Sequence, residues 1–422
     1  MLGSFVTREI VRRLNERAIP VNMIDRVIGA NVATPLHAPN LGRVCSVRGG
    51  VPLRTPAYTI GDNCGSGIAA LQVANLWIQN QEANCVLVVA AESMSRIPIA
   101  YSEALANLFK QLAKAKTVWE QGAILIRLYP RLLRFRKKEN APLIGLRLGL
   151  TDPLCDMPMP LTAERLAMDP SFGISREDQD DFAFWSHQKA AQARSRGVFA
   201  EEIIPVYVPG QKGNYAAVET DNGIREPLKL KREELAKLKP IFDPHGTVTA
   251  GNSSQITDGA AAMLVASEAC AQKLGLPVMG SIIGYKDCGF DPSRMGLAPV
   301  AAIAEILRQT GLKFSDFQCI EINEAFAAQI LAVLRTLDSD TLMKKWFGSY
   351  GYSERIGEIP DNVLNPNGGA IALGHPVGVS GVRLALTALK ELQRRDQERA
   401  LISACIGGGQ GAAMILQRGG AS

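Results

Sequence analysis

The chain repeats one order of secondary-structure patterns, and this duplication constrains its fold more than any other feature. The first copy runs through an amphipathic helix at 4–17, the strand pattern IDRVI, a glycine-rich turn and helix at 61–79, and the apolar run CVLVVAA at 85–91. The second copy runs through a helix at 298–310, QCIEI, a glycine-rich turn and helix at 374–392, and LISAC at 401–405. Alternating helices and strands form α/β sheets, so we predict two similar α/β halves.

The duplication also predicts the domain boundaries. We expect an N-terminal half made of residues 1–98 plus 240–267, an insertion domain at 99–239, and a C-terminal half at 268–422. The second copy opens with a strand pattern at 279–287 that the first copy lacks. Either the true start lies upstream of Met1, or this chain has no such strand.

Composition excludes several classes of protein. The net charge of +5 is too small to indicate a nucleic-acid-binding protein. The eight cysteines form no CxxC pairs, so the sequence predicts neither a metal site nor a disulfide scaffold. Free cysteines indicate a reducing compartment, which in a bacterium is the cytoplasm. No apolar run is long enough to span a bilayer.

Cys64 lies in the glycine-rich turn of the first copy, at the start of the predicted helix. Unpaired N–H groups and the helix dipole gather at such a position, and they favour the nucleophilic thiolate over the thiol. Gly65, Ser66 and Gly67 are small enough to let a substrate carbonyl approach. A buried structural cysteine is the alternative for Cys64 taken alone.

Three further candidates fall in the second copy. His375 lies in the matching glycine-rich turn, Asn323 follows the QCIEI strand, and Cys405 ends the LISAC strand before Gly407. Asn323 could instead cap the helix that follows it. The glycines after Cys405 could be a dinucleotide fingerprint, but a strand pattern rather than a helix follows them. If the copies pair around a pseudo-two-fold axis, all these turns meet at one place.

The sequence resembles the thiolase family over nearly its whole length. The matching motifs are DNCGSG around Cys64, GNSSQITDGAAA at 251–262, NEAF at 323–326, GGAIALGHPVGVSG at 368–381 and CIGGGQGAAMI at 405–415. The insertion and DNGI at 221–224 are most similar to the β-subunit of the fatty-acid oxidation trifunctional complex. The resemblance implies duplicated α/β halves in five layers, an α-helical insertion domain, and a homodimer or tetramer.

The resemblance also implies a role for each candidate. Cys64 would attack the 3-keto carbon and carry the acyl group, while His375 accepts the thiol proton. Cys405 would protonate the departing acetyl-CoA carbanion, and Asn323 with His375 would hold the enolate oxygen. The N–H groups of Cys64 and Gly407 would form a second oxyanion hole.

The implied activity is that of a 3-ketoacyl-CoA thiolase of fatty-acid β-oxidation, working through an acyl-cysteine intermediate. Ser254 and Phe326 would line the tunnel for the pantetheine arm of coenzyme A, which is a co-substrate, and no tightly bound cofactor or metal is implied. The alternatives are a biosynthetic acetoacetyl-CoA thiolase and a non-catalytic scaffold that binds lipid or a partner.

Residues 107–147 form a basic amphipathic stretch. Ten Lys and Arg residues stand against Glu120 and Glu139, with Leu, Ile, Tyr and Trp between them. Such a stretch can lie on an anionic membrane or bind a partner helix. The resemblance suggests a hydratase/dehydrogenase α-subunit as that partner, and a solvated surface is the third possibility.

Overall fold

The computed structural model describes residues 2–134, 140–209, 214–225 and 231–419. The chain divides into two compact units, a smaller one at Met94–Thr151 and a larger one made of Met1–Ser93 and Asp152–Ser422. The division into two halves and an insertion at 99–239 stays a prediction.

The elements of the described residues are numbered in chain order. The strands are β1 (Arg26–Ala30), β2 (Ala57–Ile60), β3 (Cys85–Ser93), β4 (Ile99–Ala100), β5 (Leu143–Ile144), β6 (Thr151–Asp152), β7 (Met157–Pro158), β8 (Val206–Pro209), β9 (Tyr215–Val218), β10 (Asp258–Ala266), β11 (Gly280–Gly289), β12 (Cys319–Ile322), β13 (Arg399–Ile406) and β14 (Gln410–Arg418). The α-helices are α1 (Leu2–Glu16), α2 (Leu41–Gly49), α3 (Ser66–Gln79), α4 (Glu103–Lys114), α5 (Val118–Leu133), α6 (Gly145–Gly149), α7 (Met159–Ala167), α8 (Arg176–Ser195), α9 (Arg232–Ala236), α10 (Glu268–Leu274), α11 (Ala298–Thr310), α12 (Ala327–Leu337), α13 (Asp340–Phe347), α14 (Ala370–Leu373) and α15 (Ser380–Arg395).

Each half of the larger unit holds a four-stranded sheet, with the order β2-β1-β3-β10 in the first and β12-β13-β14-β11 in the second. Strand β1 is parallel to β3, which is antiparallel to β10. In the same way, β12 is parallel to β13, which is antiparallel to β14. The arrangement β1-β3-β10 therefore recurs as β12-β13-β14, and the predicted duplicated α/β fold is confirmed.

The two sheets differ at their edges. In the second sheet β11 pairs antiparallel with the outer edge of β14, whereas no strand among the described residues pairs with the outer edge of β10. The interior of β14 is accordingly buried, and β10 is half-buried along almost its whole length. In the first sheet β2 pairs with the outer edge of β1. At the corresponding edge of β12 in the second sheet, the described residues form an isolated bridge between Ile320 and Leu364.

The proline- and glycine-rich segment between β1 and Cys64 is not the loop that such a composition predicts. It contains α2 and β2. Helix α2 begins after Asn40, whose side chain accepts a hydrogen bond from the N–H of Arg43 at 3.2 Å. A Cβ added to Gly29 of β1 would lie 2.7 Å from Cα of Gly42, so the helix packs directly on the strand backbone. This tertiary contact stabilises a helix that local propensity does not favour.

The helices that follow the two glycine-rich turns, α3 and α15, cross at a pair of glycines. A Cβ added to Gly67 would lie 2.7 Å from the backbone nitrogen of Val382, and one added to Gly381 would overlap the backbone nitrogen of Ile68. Only glycine allows this close approach. It brings the N-termini of the two helices together, and with them the turns that carry Cys64 and His375.

Replacing Gly381 with alanine should therefore destabilise the protein. The added methyl group meets backbone atoms that cannot rotate away, so we expect the free energy of unfolding to fall by about 1–3 kcal/mol or more. Chemical denaturation measures it. Gly122→Ala in α5 is the matched control, because its Cβ would meet nothing within 4 Å. A Gly381→Ala protein as stable as the parent would contradict the close crossing.

The smaller unit is a helical hairpin. Helices α4 and α5 pack together through a cluster that contains Leu105, Leu108, Ile124 and Leu128, and β4 pairs antiparallel with β5. Part of the predicted basic stretch, residues 135–139, lies outside the described residues. None of the described helices is both long and apolar enough to cross a membrane.

Candidate active site

The two glycine-rich turns meet at one place. Sγ of Cys64 lies 3.3 Å from Nε2 of His375, and Nδ2 of Asn323 lies 3.4 Å from the same nitrogen. Cys64 precedes α3, Asn323 follows β12, and His375 precedes α15. Two predicted site residues from separate segments, Cys64 and Asn323, therefore lie within hydrogen-bond distance of the imidazole of a third, His375.

Ser380 sets the orientation of that imidazole, and the sequence analysis missed it. Its Oγ lies 2.6 Å from Nδ1 of His375 and 3.3 Å from the carbonyl oxygen of Pro376. Because a carbonyl can only accept, we assign the hydroxyl as donor to Pro376 and as acceptor from Nδ1–H. The lone pair of Nε2 then faces Cys64, as a proton acceptor requires. The sequence signal for this role was a serine five residues after the histidine, within the same glycine-rich motif.

Burial decides the resting protonation state of the pair. Burial, with a smaller effect of the Arg383 charge, lowers the pKa of His375 to about 4. Burial also raises the pKa of the Cys64 thiol to about 12. The prediction that the helix N-terminus favours the thiolate is therefore wrong for the resting site, because desolvation of the sulfur outweighs the helix dipole.

A neutral thiol beside a neutral imidazole suits general-base activation. His375 can take the proton while the sulfur forms its new bond, so no buried thiolate has to exist beforehand. The backbone N–H groups of Gly407 and Cys64 act on the Cys64 sulfur and lower the pKa of its thiol against the effect of burial. An oxyanion hole needs donors aimed at the substrate oxygen that becomes charged, so the oxyanion role that the resemblance implies for these two N–H groups stays a prediction.

Cys405 lies near the end of β13 and is fully buried. Burial raises the pKa of its thiol first, and the neighbouring Cys64 raises it further. A thiol that stays protonated can donate a proton to carbon, which agrees with the role that the resemblance implies. After it, Gly408 and Gly409 adopt φ values of 92° and 75°, which form the turn into β14.

Two buried carboxylates outside the predicted catalytic set hold the site segments in place. Glu92, in β3 of the first sheet, accepts a hydrogen bond from the N–H of Gly378 at 3.0 Å, and so ties the His375 turn to the first half. Glu324, next to Asn323, accepts from Oγ of Ser186 at 2.6 Å and from Nδ2 of Asn365 at 2.7 Å. In the sequence, the signal for each carboxylate was an acidic residue close to the end of an apolar strand.

Ser254 and Phe326 lie beside the Asn323 segment. The N–H of Ser254 donates to the carbonyl of Ala325 at 2.9 Å, and Phe326 forms an isolated bridge with Ser253. Phe326 is only 7% exposed and packs in the core of the second half. Their contact with coenzyme A stays a prediction.

Comparison with known proteins identifies the family. The chain matches the thiolase N-terminal domain over residues 1–269 and the thiolase C-terminal domain over 276–418. It is 38% identical to an acetyl-CoA acetyltransferase of Pseudomonas aeruginosa, covering 99% of this chain and 93% of that protein. It is 39% identical to a β-ketoadipyl-CoA thiolase of Acinetobacter baylyi, covering 90% and 84%. Its fold matches that of human mitochondrial 3-ketoacyl-CoA thiolase with a TM-score of 0.80, 35% identity and 99% and 92% coverage.

The chain belongs to the thiolase family, and it is an acyltransferase. Thiolases use coenzyme A as a substrate. The names of the relatives differ in the acyl group that they specify, so the family membership defines the type of transfer and not the acyl chain.

Removing the charge of Arg383 should change the pH profile. Its guanidinium lies 3.9 Å from the carboxylate of Glu321, and its charge helps to lower the pKa of His375. The reaction needs the neutral imidazole, so activity is lost as pH falls through that pKa. In Arg383→Gln we therefore expect the acid limb of kcat/KM to move to higher pH. Burial already raises the pKa of Glu321 to about 8 in the presence of Arg383, and loss of the guanidinium should raise it further.

Arg383→Lys is the control, because it keeps the positive charge and should keep the acid limb near that of the parent. An Arg383→Gln profile that superimposes on the parent would show that the Arg383 charge does not act on His375.

Proposed function

We propose that this protein is a 3-ketoacyl-CoA thiolase that cleaves 3-ketoacyl-CoA with coenzyme A to acetyl-CoA and a shortened acyl-CoA. The observation that carries the proposal is the 3.3 Å contact between Sγ of Cys64 and Nε2 of His375. It supplies a nucleophile with its base, and Cys405 supplies a separate acid for carbon.

In the first half-reaction, Cys64 attacks the 3-keto carbon as its proton passes to Nε2 of His375. The bond between C2 and C3 then breaks, and its electron pair becomes the enolate of acetyl-CoA. Cys405 protonates C2 of the enolate and is left as a thiolate, while the acyl group stays on Cys64. Donors at the two oxygens stabilise the charge that develops, which is the largest contribution in many enzymes of this type.

In the second half-reaction, the Cys405 thiolate takes the proton of the incoming coenzyme A thiol. The coenzyme A sulfur attacks the acyl carbon, and Cys64 leaves as a thiolate. His375 returns its proton to Cys64, so both cysteines and the histidine regain their starting states. Asn323 contributes Nδ2 on the Nε2 side of the imidazole. Its Oδ1 is buried with no hydrogen-bond partner among the described residues and can accept from a bound water.

We propose a role in fatty-acid β-oxidation, supported by the resemblance of the insertion and the DNGI motif to those of the long-chain β-subunits. A biosynthetic acetoacetyl-CoA thiolase uses the same site and is the second candidate, favoured by the acetyltransferase name of the Pseudomonas relative. A non-catalytic scaffold is the third. It would explain neither the thiol–imidazole contact nor the second buried thiol.

Initial-rate kinetics with 3-ketoacyl-CoA substrates of increasing chain length tests the proposal. We expect acetyl-CoA as product, parallel double-reciprocal plots, and a higher kcat/KM for long chains than for acetoacetyl-CoA. Cys64→Ala should abolish turnover. A preference for acetoacetyl-CoA alone would favour the biosynthetic enzyme, and the absence of acetyl-CoA would favour the scaffold.

We also propose that the protein forms a homo-oligomer. We propose further that its smaller unit contacts a membrane surface. Helix α5 is apolar on two faces, and Ile124 and Leu128 on one face pack against α4. The other face is exposed, with Trp119 at 90% and Ile126 at 75% exposure and Leu133 one heptad further on. Large apolar side chains at a spacing of seven form one stripe along a helix, and such a stripe requires a partner or a lipid surface.

The cations beside this stripe favour an anionic membrane over a partner helix. Arg127 and Arg131 of α5, together with Arg134 directly after it, line a cavity of about 510 Å³ between α4 and α5, with Asn107 and Gln111 opposite. A guanidinium group can donate two parallel hydrogen bonds to the oxygens of one phosphate, so the cavity suits the phosphate of a lipid headgroup. An apolar stripe flanked by arginines is typical of a helix that lies in the membrane interface.

Flotation with vesicles of phosphatidylcholine, with and without phosphatidylglycerol, tests this contact. We expect binding that requires the anionic lipid and that falls at least about tenfold in Ile126→Glu, because a charge is buried in the apolar layer. Leu36→Glu in the larger unit, where Leu36 is 85% exposed, is the control. No flotation, with co-purification of a hydratase/dehydrogenase subunit instead, would replace the membrane by a protein partner.

A further inference from the structure

The peptide bond between Gly407 and Gly408 is held at both ends by side chains from two other segments. Nδ2 of Asn63 donates to the carbonyl oxygen of Gly407 at 2.9 Å. The N–H of Gly408 donates to Oδ2 of Asp152 at 2.8 Å. The preceding peptide bond carries the N–H of Gly407. That N–H is one of the two donors that act on the Cys64 sulfur.

Without such contacts, the glycine turn would have several conformations. Glycine gives a backbone little steric restriction, and Gly408 already adopts a φ of 92°. A donor of an oxyanion hole must be held to within about 0.5 Å of its working position. A fixed peptide plane next to the Gly407 N–H provides that restriction.

The Asp152 side chain is itself held in place. Asp152 is only 1% exposed, and its Oδ1 accepts a second hydrogen bond from the N–H of Leu154 at 2.8 Å. Asn63 has a φ of 42°, a left-handed conformation that asparagine tolerates better than most residues. Because Asn63 directly precedes Cys64, its amide ties the nucleophile turn to the glycine turn.

We propose that Asn63 and Asp152 are positioning residues that lock the 407–408 peptide and so aim the N–H of Gly407 at the oxygen of the reacting thioester. This inference rests on the proposed function. It extends that function, because it assigns roles to two residues outside the predicted catalytic set. The nucleophile and its oxyanion donor then keep a constant separation throughout the cycle.

Two variants remove the contacts one at a time. Asn63→Gly keeps the left-handed backbone and removes the amide, and Asp152→Ala removes the acceptor. For each we expect kcat to fall roughly tenfold to a hundredfold, with KM changed less than about threefold, because a misaimed donor weakens only transition-state binding. Rates are expressed per active site, counted by acylation of the enzyme, so that loss of folded protein does not contribute.

Conservative replacement separates positioning from general stability. Asp152→Asn keeps one acceptor oxygen for the N–H of Gly408 but loses the one for the N–H of Leu154, so it should recover part of the kcat lost in Asp152→Ala. Gln179→Ala is the matched control, because it removes a buried amide that donates to the carbonyl of Ser175 at 3.1 Å, in a segment without site residues. Its kcat should stay near that of the parent.

Hydrogen exchange of the 405–411 segment gives a second readout that does not depend on turnover. We expect the Gly408 N–H to be protected in the parent and to exchange faster in Asp152→Ala. Unchanged kcat in both variants, or unchanged exchange, would overturn the positioning role. Absence of thiolysis in the parent would overturn the proposed function instead, and exchange would still test the lock.

Discussion

The hydrogen bond between Sγ of Cys64 and Nε2 of His375 joins the two halves of the protein at the point where chemistry is possible. It can form only because α3 and α15 cross at Gly67 and Gly381, where added side chains would collide with the opposite backbone. The contact between Glu92 and the Gly378 N–H holds the same two halves together on the other side of the His375 turn. The duplicated fold is thus the means by which a nucleophile and a base from distant segments reach each other.

The same burial that makes this meeting possible also determines how the site works. Desolvation raises the pKa of the Cys64 thiol and lowers the pKa of the His375 imidazole, so both rest in their neutral forms and the proton must move when the substrate arrives. Neutral partners avoid placing a permanent charge in an apolar site, whose desolvation would be unfavourable. Hydrogen-bond donors fixed in advance can then act on the charge that develops on the substrate oxygen.

Much of this arrangement could be predicted from the sequence, because apolar runs and glycine-rich turns recur in a fixed order. The helix at 298–310, the strand at 85–91 and the convergence of Cys64 with His375 follow from that order. What could not be predicted depends on contacts between distant segments. Helix α2 needs the backbone of Gly29, and the thiolate prediction failed because desolvation is a property of the folded surroundings.

The intact mass of the enzyme after incubation with a 3-ketoacyl-CoA, followed by peptide mapping, tests the roles of Cys64 and His375 directly. We expect one acyl group on the peptide that contains Cys64, and no acyl group in His375→Asn, because that variant lacks the base that activates the thiol. An acyl group on a different cysteine, or full acylation of Cys64 in His375→Asn, would contradict it.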